Sequence, residues 1–293
     1  MPDPAAVAAE IGDFIASRLS ASGRRGCVLG LSGGLDSAVV AALAVRAVGA
    51  ERVAALFLPE RDSSSRSRTD AEAVARSLGL SLREISLTPA LRALGTYRGE
   101  PSPFLVPRPL QERYVRGEFQ ARSKPGESPF IQYLKGGGGD ARMARHIAYM
   151  RVKHRLRMVT LYLTAERENR LVLGACNKSE WLTGFFVPYG DSAADLQPIV
   201  GLFKTQVRRL AAFLGLPQSV ISKPPSPDLA PGLTDEFTLG LSYERLDQVL
   251  LGIEEGRDDA AVAQAAGVEP AQVREVREME RLSAPWRDLP AHP

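Results

Sequence analysis

The sequence predicts an α/β fold, a doubly wound parallel sheet, and three observations carry that prediction. Apolar runs at 27–31, 53–58 and 82–86 alternate with stretches of helical spacing at about 36–48 and 67–78. Continuously apolar strands between helices belong to parallel sheets covered on both faces. Gly49 and Gly79 stand where the two helices should end, because glycine takes the left-handed conformation that closes a helix. Between the first strand and the first helix lies the turn Gly30-Leu31-Ser32-Gly33-Gly34-Leu35-Asp36-Ser37. A strand, a glycine-rich turn and a helix in that order aim backbone N–H groups and a helix N-terminus at one small volume, which suits an anion.

The remaining elements follow in order. Residues 1–20 carry Val7, Ile11, Phe14, Ile15 and Leu19 at helical spacing, with Asp3, Glu10 and Asp13 among the polar positions. That is an amphipathic helix rather than a cleaved leader. After the second strand, Pro59-Glu60-Arg61-Asp62-Ser63-Ser64 leaves the same sheet edge as the turn at 32–37. Ligands of such sheets lie beyond the carboxyl ends of the strands, so the two segments are expected to share one site, with an adenine or ribose on the second. From about 96 to 146 the pattern breaks. Six prolines and then Gly136 to Gly139 mark an irregular, mobile insertion. Residues 98–157 hold thirteen Lys or Arg against five Asp or Glu, which reads either as a basic lid for a polyanionic substrate or as a solvated loop. Order resumes with a long helix at about 141–166, a strand at 170–174, and a helix at 204–214 closed by Gly215-Leu216-Pro217. A last set of helices follows. Without a repeat or a linker, the expectation is one domain, 1–293, with the insertion at about 96–146.

Composition excludes several classes. The formal net charge of +3 is too small to argue for nucleic acid, and no apolar run approaches the roughly 20 residues that span a membrane. Cys27 and Cys176 lie far apart without metal spacing, so neither a disulfide framework nor a zinc site is expected. The expected compartment is the cytoplasm.

The turn at 30–37 has a definite chemistry. Gly33 and Gly34 permit dihedrals and a close approach that a Cβ would block, and Ser32 and Ser37 add hydroxyl donors. Asp36 places a carboxylate where phosphates would sit, which makes sense with a bridging cation and implies Mg²⁺. The chain has no G-x-x-x-x-G-K-[ST] run, so this is not a Walker loop.

The run Ser32 to Ser37 resembles the pyrophosphatase loop of ATP pyrophosphatases, enzymes that split ATP between its α- and β-phosphates. From Arg155 onward the chain resembles the NAD synthetase family. The carrying motifs are Arg155-Leu156-Arg157-Met158, Asn177-Lys178-Ser179-Glu180, Thr183-Gly184-Phe185-Phe186, Tyr189-Gly190-Asp191, Lys204-Thr205, the loop from Lys223 to Leu229, and Thr234-Asp235-Glu236. The resemblance implies a carboxylate, nicotinic acid adenine dinucleotide, that attacks ATP to give an acyl adenylate and pyrophosphate, followed by ammonia and release of AMP. It implies Asp36 and Glu180 on Mg²⁺, with Gly30, Ser32, Gly33, Gly34 and Ser37 on the ATP phosphates together with Lys204 and Ser226. Thr183 and Asp191 match the ammonia pocket, and Arg155 and Asp195 match contacts to the dinucleotide. The resemblance also implies a homodimer, for which the helix at about 141–166 is the candidate contact. No length remains for a glutaminase, so free ammonia or a separate glutaminase subunit is expected.

Several positions depart from that pattern. Ala175 stands for a Thr, Pro188 for a Lys, Met150 to His154 for Gly-Asn-x-x-Ala, and Ser283-Ala284-Pro285-Trp286-Arg287 for a usual His-Lys-Arg. These changes leave open an amide ligase of the same fold acting on another carboxylate, and the basic segment with Cys176 leaves open a sulfur transferase acting on RNA.

Overall fold

The computed structural model describes residues 3–98, 110, 112, 113, 117, 128–137, 139–226 and 234–289. Its strands are β1 (Gly26–Gly30), β2 (Val53–Phe57), β3 (Leu82–Glu84) and β4 (Arg170–Leu173). In chain order its helices are α1 (Pro4–Ser22), α2 (Leu35–Val48), α3 (Ser65–Ser77), α4 (Thr88–Ala93), α5 (Pro129–Leu134), α6 (Ala141–Glu168), α7 (Lys178–Thr183), α8 (Lys204–Phe213), α9 (Gln218–Ile221), α10 (Asp235–Leu239), α11 (Tyr243–Glu254), α12 (Asp259–Ala266) and α13 (Pro270–Arg287).

The four strands are parallel and lie in the order β3–β2–β1–β4. Val28 at the centre of β1 is paired with Ala54 on one side and Val172 on the other. Alternate side chains of β1 leave on opposite faces. Cys27 and Leu29 join a core with α1, α2 and α8, while Val28 joins a separate core with Met158, Leu161 and Ala165 of α6. Burial on both faces explains why β1 and β2 read as unbroken apolar runs. The edge strand differs from expectation. β3 is three residues long, with Arg83 and Glu84 exposed; charge on an open edge discourages pairing with another chain.

Helix ends follow the capping chemistry of the sequence. Asp3 accepts from Ala5 N at 3.3 Å ahead of Pro4, and Gly23 closes α1 at φ 66°. Asp140 accepts from Arg142 N at 2.7 Å and starts the 28-residue α6. Part of the insertion departs from the sequence reading of irregular, mobile chain. Residues 129–134 form α5, whose Phe130, Ile131 and Leu134 are buried in a third core with α11, α12 and α13. An apolar Pro-Phe-Ile-Gln-Tyr-Leu run can bury one face once a partner surface exists, and the C-terminal helices supply it. Most of 99–127 lies outside the described residues.

The topology fixes where a site can form. The chain runs from β1 outward through β2 to β3, then returns to β4 on the other side of β1. The turns after β1 and β4 therefore diverge and open a crevice at the carboxyl edge, the usual ligand position of such sheets.

Candidate functional site

The turn after β1 is built around its own hydroxyls. Ser37 Oγ accepts from Ser32 N at 3.2 Å, lies 3.0 Å from Ser32 Oγ, and donates to Gly34 O at 3.1 Å. Gly34 N donates to Ser32 Oγ at 3.2 Å. Gly33 is required as glycine. Its φ is 74°, and a Cβ there would stand 2.3 Å from Ser67 O of α3. Gly34 is the extended N-cap of α2 and has no side-chain cap bond, so the first turn of α2 keeps donors for an anion. Gly30 faces α6; a Cβ there would meet Leu161 at an ordinary 3.7 Å, so nothing in this structure demands glycine.

The turn after β4 supplies the other wall. Asn177 caps α7 by accepting from Glu180 N at 3.0 Å, while Glu180 returns to Asn177 N at 3.3 Å. The same Asn177 donates from Nδ2 to Asp36 Oδ1 at 3.1 Å, joining the two turns. Lys204, first residue of α8, lies 2.5 Å from Asp36 Oδ2 and 3.2 Å from Glu180 Oε1. It also stands 5.0 Å from the centre of the Tyr243 ring. Tyr243 in turn donates to Asp235 Oδ2 at 3.0 Å, and Asp235 Oδ1 is buried without a hydrogen-bond partner.

Two carboxylates share one ammonium at this centre, and Asp235 lies behind Tyr243. Burial pushes the Glu180 carboxyl up to about 8 in spite of Lys204, with Asp36 adding to the rise. Burial likewise raises Asp235 to about 6. Lys204 moves the other way. Burial opposes its charge, but Asp36 and Glu180 outweigh it and hold the ammonium protonated well above the usual lysine range. Among the described residues no group of three or more His, Cys, Asp or Glu side chains is placed to hold a metal alone. Two carboxylates do fit Mg²⁺ when phosphate oxygens and water complete its shell.

Lys204 is held in place from behind. Asp247 of α11 accepts from Ser179 Oγ at 2.5 Å and from Thr205 N at 2.9 Å, and Lys204 N donates to Ser179 Oγ at 3.0 Å. One buried carboxylate thus ties α7, α8 and α11 together. The sequence held a signal for it: Asp247 lies between Leu246 and Val249 on the buried face of an amphipathic helix. Lys223 is a second residue that sequence reasoning did not assign. It donates to Gly33 O at 3.1 Å and lies 2.8 Å from Asp70, docking the 223–226 segment on the phosphate turn. Ser226 is exposed beside residues outside the described set.

Of the residues expected on the acceptor side, Thr183 shares α7 with Glu180, Arg155 is on α6, and Asp191 and Asp195 lie in the stretch between α7 and α8. Thr183 is buried, and its Oγ1 lies 2.7 Å from Ser179 O and 3.3 Å from Glu180 O, as donor to its own helix. Asp191 Oδ1 accepts from Val187 N at 2.6 Å, and its Oδ2 lies 3.7 Å from His154 Nδ1. Burial lowers the His154 pKa, against the pull of Asp191, and so favours the neutral ring. Asp195 accepts from Val172 N at 2.7 Å and from Tyr162 at 3.2 Å, and Arg155 Nε donates to Pro188 O at 3.1 Å. Arg155 and Asp195 are exposed. Arg287 turns inward and donates to Leu182 O at 3.0 Å. Nearby, Arg151 lies 4.7 Å from the centre of the Tyr133 ring and 4.9 Å from that of Trp286. Burial pushes both thiols up, Cys27 to about 11 and Cys176 well above its usual range, so neither is a ready nucleophile.

A parallel sheet whose switch-point crevice holds a serine–glycine turn, paired carboxylates and a buried lysine defines the class of ATP pyrophosphatase-type α/β enzymes. The chain matches the NAD synthase family over residues 7–125 and 129–290. It is 41% identical over 278 residues to an NH(3)-dependent NAD(+) synthetase of Thermotoga neapolitana, covering 94% of this chain and 92% of that one. It is 44% identical over 249 residues to one from Coprothermobacter proteolyticus, covering 84% of each. Among solved structures it resembles the NMN synthetase of Francisella tularensis (TM-score 0.73, 27% identity, 99% and 98% of the chains). It also resembles the NH3-dependent NAD synthetase of Campylobacter jejuni (0.67, 25%, 99% of each). The chain belongs to the NAD synthase family.

Proposed function

We infer that this protein is an ammonia-dependent NAD synthetase, a carbon–nitrogen ligase that forms AMP. The observation that carries the reading is the centre formed by Asp36, Glu180 and Lys204 at the meeting of the turns after β1 and β4. The carboxylate of nicotinic acid adenine dinucleotide attacks the α-phosphorus of ATP; an acyl–phosphate bond forms, the bond to the β-phosphate oxygen breaks, and pyrophosphate leaves. Ammonia then attacks the acyl carbon, and AMP leaves as the amide forms and the nitrogen loses a proton. No enzyme nucleophile is required, so the protein contributes positioning and charge.

Each residue has a role in that sequence. Ser32, Gly33, Gly34 and Ser37, with Gly30 leading into them, cradle the departing pyrophosphate, and Lys204 and Ser226 meet the remaining phosphate charge. Asp36 and Glu180 are the residues that would hold Mg²⁺, which would supply neutralisation of the departing pyrophosphate. Thr183, whose hydroxyl proton is committed to its own helix, offers oxygen lone pairs to the N–H groups of ammonia. Asp191 orients the nitrogen and accepts its proton, and Arg155 and Asp195 bind the acceptor.

Free ammonia or a separate glutaminase is the nitrogen source, in keeping with the NH(3)-dependent relatives. The protein acts as a cytoplasmic homodimer. No helix among the described residues is long and apolar enough to cross a membrane, and Val159 and Leu163 of α6 expose apolar surface suited to a partner copy.

A second reading concerns the acceptor alone. Pro188 and the 283–287 segment depart from the family pattern, and the Francisella neighbour is an NMN synthetase. The same chemistry on nicotinic acid mononucleotide would give NMN. Mass spectrometry of products from ATP, Mg²⁺, ammonium and an equal mixture of the two acids decides between them. NAD as the main product supports the first reading, NMN supports the second, and AMP release with neither amide removes both.

A further inference from the structure

Lys204 occupies an unusual position for a residue that meets phosphate. Its ammonium is against the carboxylates themselves, 2.5 Å from Asp36 and 3.2 Å from Glu180, and its side chain is 3% exposed. A hard divalent cation needs those same oxygens. An ammonium and a divalent cation a few ångströms apart repel, and the buried setting screens them little. Entry of the metal is therefore opposed while the ammonium stays on those oxygens, and a buried ammonium that moves needs another acceptor. One acceptor is already present. Asp235 is bonded to Tyr243, whose ring centre is 5.0 Å from the Lys204 ammonium, and its charge acts on Lys204; its Oδ2 is used by the Tyr243 hydroxyl, and its Oδ1 is buried with no partner. A buried carboxylate oxygen without a partner is costly to a fold, which calls for a use in another state of the site.

We propose that Lys204 is a resident counter-ion for Asp36 and Glu180, and that Asp235 is a positioning residue that receives its ammonium when metal and ATP arrive. The proposal rests on the reading of this centre as the ATP–metal site. The exchange excludes divalent cations from the empty site and delivers Lys204 to the phosphates already paired. Metal then enters with nucleotide and not before it.

Mn²⁺ titration followed by electron paramagnetic resonance tests this without acceptor or ammonium in the tube. The free wild-type protein should bind Mn²⁺ weakly, and Lys204→Met should bind it at least tenfold more tightly. With ATP present, Asp235→Asn should weaken Mn²⁺ binding about tenfold in the wild-type background and hardly at all beside Lys204→Met. Equal metal affinity of the wild type and Lys204→Met overturns the proposal, as does an equal effect of Asp235→Asn in both backgrounds. Should Lys204→Met fail to fold, Asp235→Asn is measured alone: a loss confined to the ATP-bound protein supports the exchange, and a loss of the same size without ATP overturns it. If wild-type protein binds no Mn²⁺ even with ATP, the ATP–metal reading falls and the proposal with it. Tight ATP-dependent binding that ignores both substitutions removes the exchange alone.

Discussion

Among the described residues two lysines are sealed inside the protein, each between two carboxylates, and their surroundings differ in one respect. Lys153 of α6 meets Glu60 at 3.1 Å and Asp62 at 2.7 Å. Arg61 completes the set by bonding Asp62 at 2.9 Å and stacking 4.2 Å from the Tyr97 ring. Tyr97 donates to Glu60 at 2.8 Å, and Tyr149 donates to Asp62. Among the described residues two cations meet two anions, and each carboxylate has more than one partner. Lys153 and its partners hold Asp62 below its usual range although burial alone would raise it. Around Lys204, one cation meets Asp36 and Glu180, and Asp235, bonded to Tyr243, keeps one buried oxygen without a partner. The first cluster is closed and fastens the 59–64 loop and Tyr97 to α6. The second holds more carboxylates than cations, which leaves room for a further positive charge. Burial alone does not separate architecture from chemistry; the charge balance within the cluster does.

The largest effect that tests this contrast is on turnover. Asp36→Asn keeps the size of the side chain but removes the charge that holds the metal, which is worth several kcal/mol in the transition state. Turnover should fall roughly 10²- to 10³-fold with little change in thermal unfolding; a fall below tenfold would count against the assigned role. Next come the lysines. Lys153→Met leaves buried carboxylates uncompensated and should lower stability by about 3–5 kcal/mol, with no recovery on adding Mg²⁺. Lys204→Met should also lose stability, yet saturating Mg²⁺ at about 100 times its Kd should restore about 2.7 kcal/mol. Parallel behaviour of the two variants in a Mg²⁺ melting series would erase the distinction.

A smaller effect belongs to the phosphate turn. Gly33→Ala sets a Cβ 2.3 Å from Ser67 O at positive φ and should destabilise the protein by about 1–3 kcal/mol, with a rise in KM for ATP. The smallest is a pH slope. Glu180 is raised to about 8 by burial, so the folded protein holds its proton more tightly than the unfolded chain. That contribution to stability is fully present below the ordinary carboxylate pKa and is lost as pH rises to about 8. Melting of the ligand-free wild type between pH 5 and 8 should slope downward, and Glu180→Gln should flatten the slope. An unchanged slope would show that Glu180 ionises like an exposed carboxylate.

Sequence and structure agree most closely where local signals and the fold point the same way. The runs at 27–31 and 53–58 and the glycine closing at Gly49 fall within a residue of β1, β2 and the end of α2. Asp36, Glu180 and Lys204 are 24 to 168 positions apart, and their meeting was legible through the motifs around them rather than through any periodicity. Other features depend on contacts that no local pattern announces. Lys153 lies in a basic stretch that reads either as a lid over a polyanionic substrate or as a solvated loop, and its burial depends on Glu60 and Asp62 from a loop about 90 residues away. Helix α5 sits in a stretch that prolines and glycines mark as irregular, and its order depends on α11 to α13. The orphan oxygen of Asp235 is invisible in sequence, because an unmade bond has no motif.

The most direct test of the account follows the phosphorus of ATP. Phosphorus nuclear magnetic resonance of the purified protein with ATP, Mg²⁺, ammonium and nicotinic acid adenine dinucleotide should show AMP and pyrophosphate rising together, in step with amide formed. Omitting ammonium should stop the amide, and replacing ammonium with glutamine should not restore it. ADP and orthophosphate as products would mean cleavage at the wrong bond, and would contradict the assignment of the Asp36, Glu180 and Lys204 centre to pyrophosphate release.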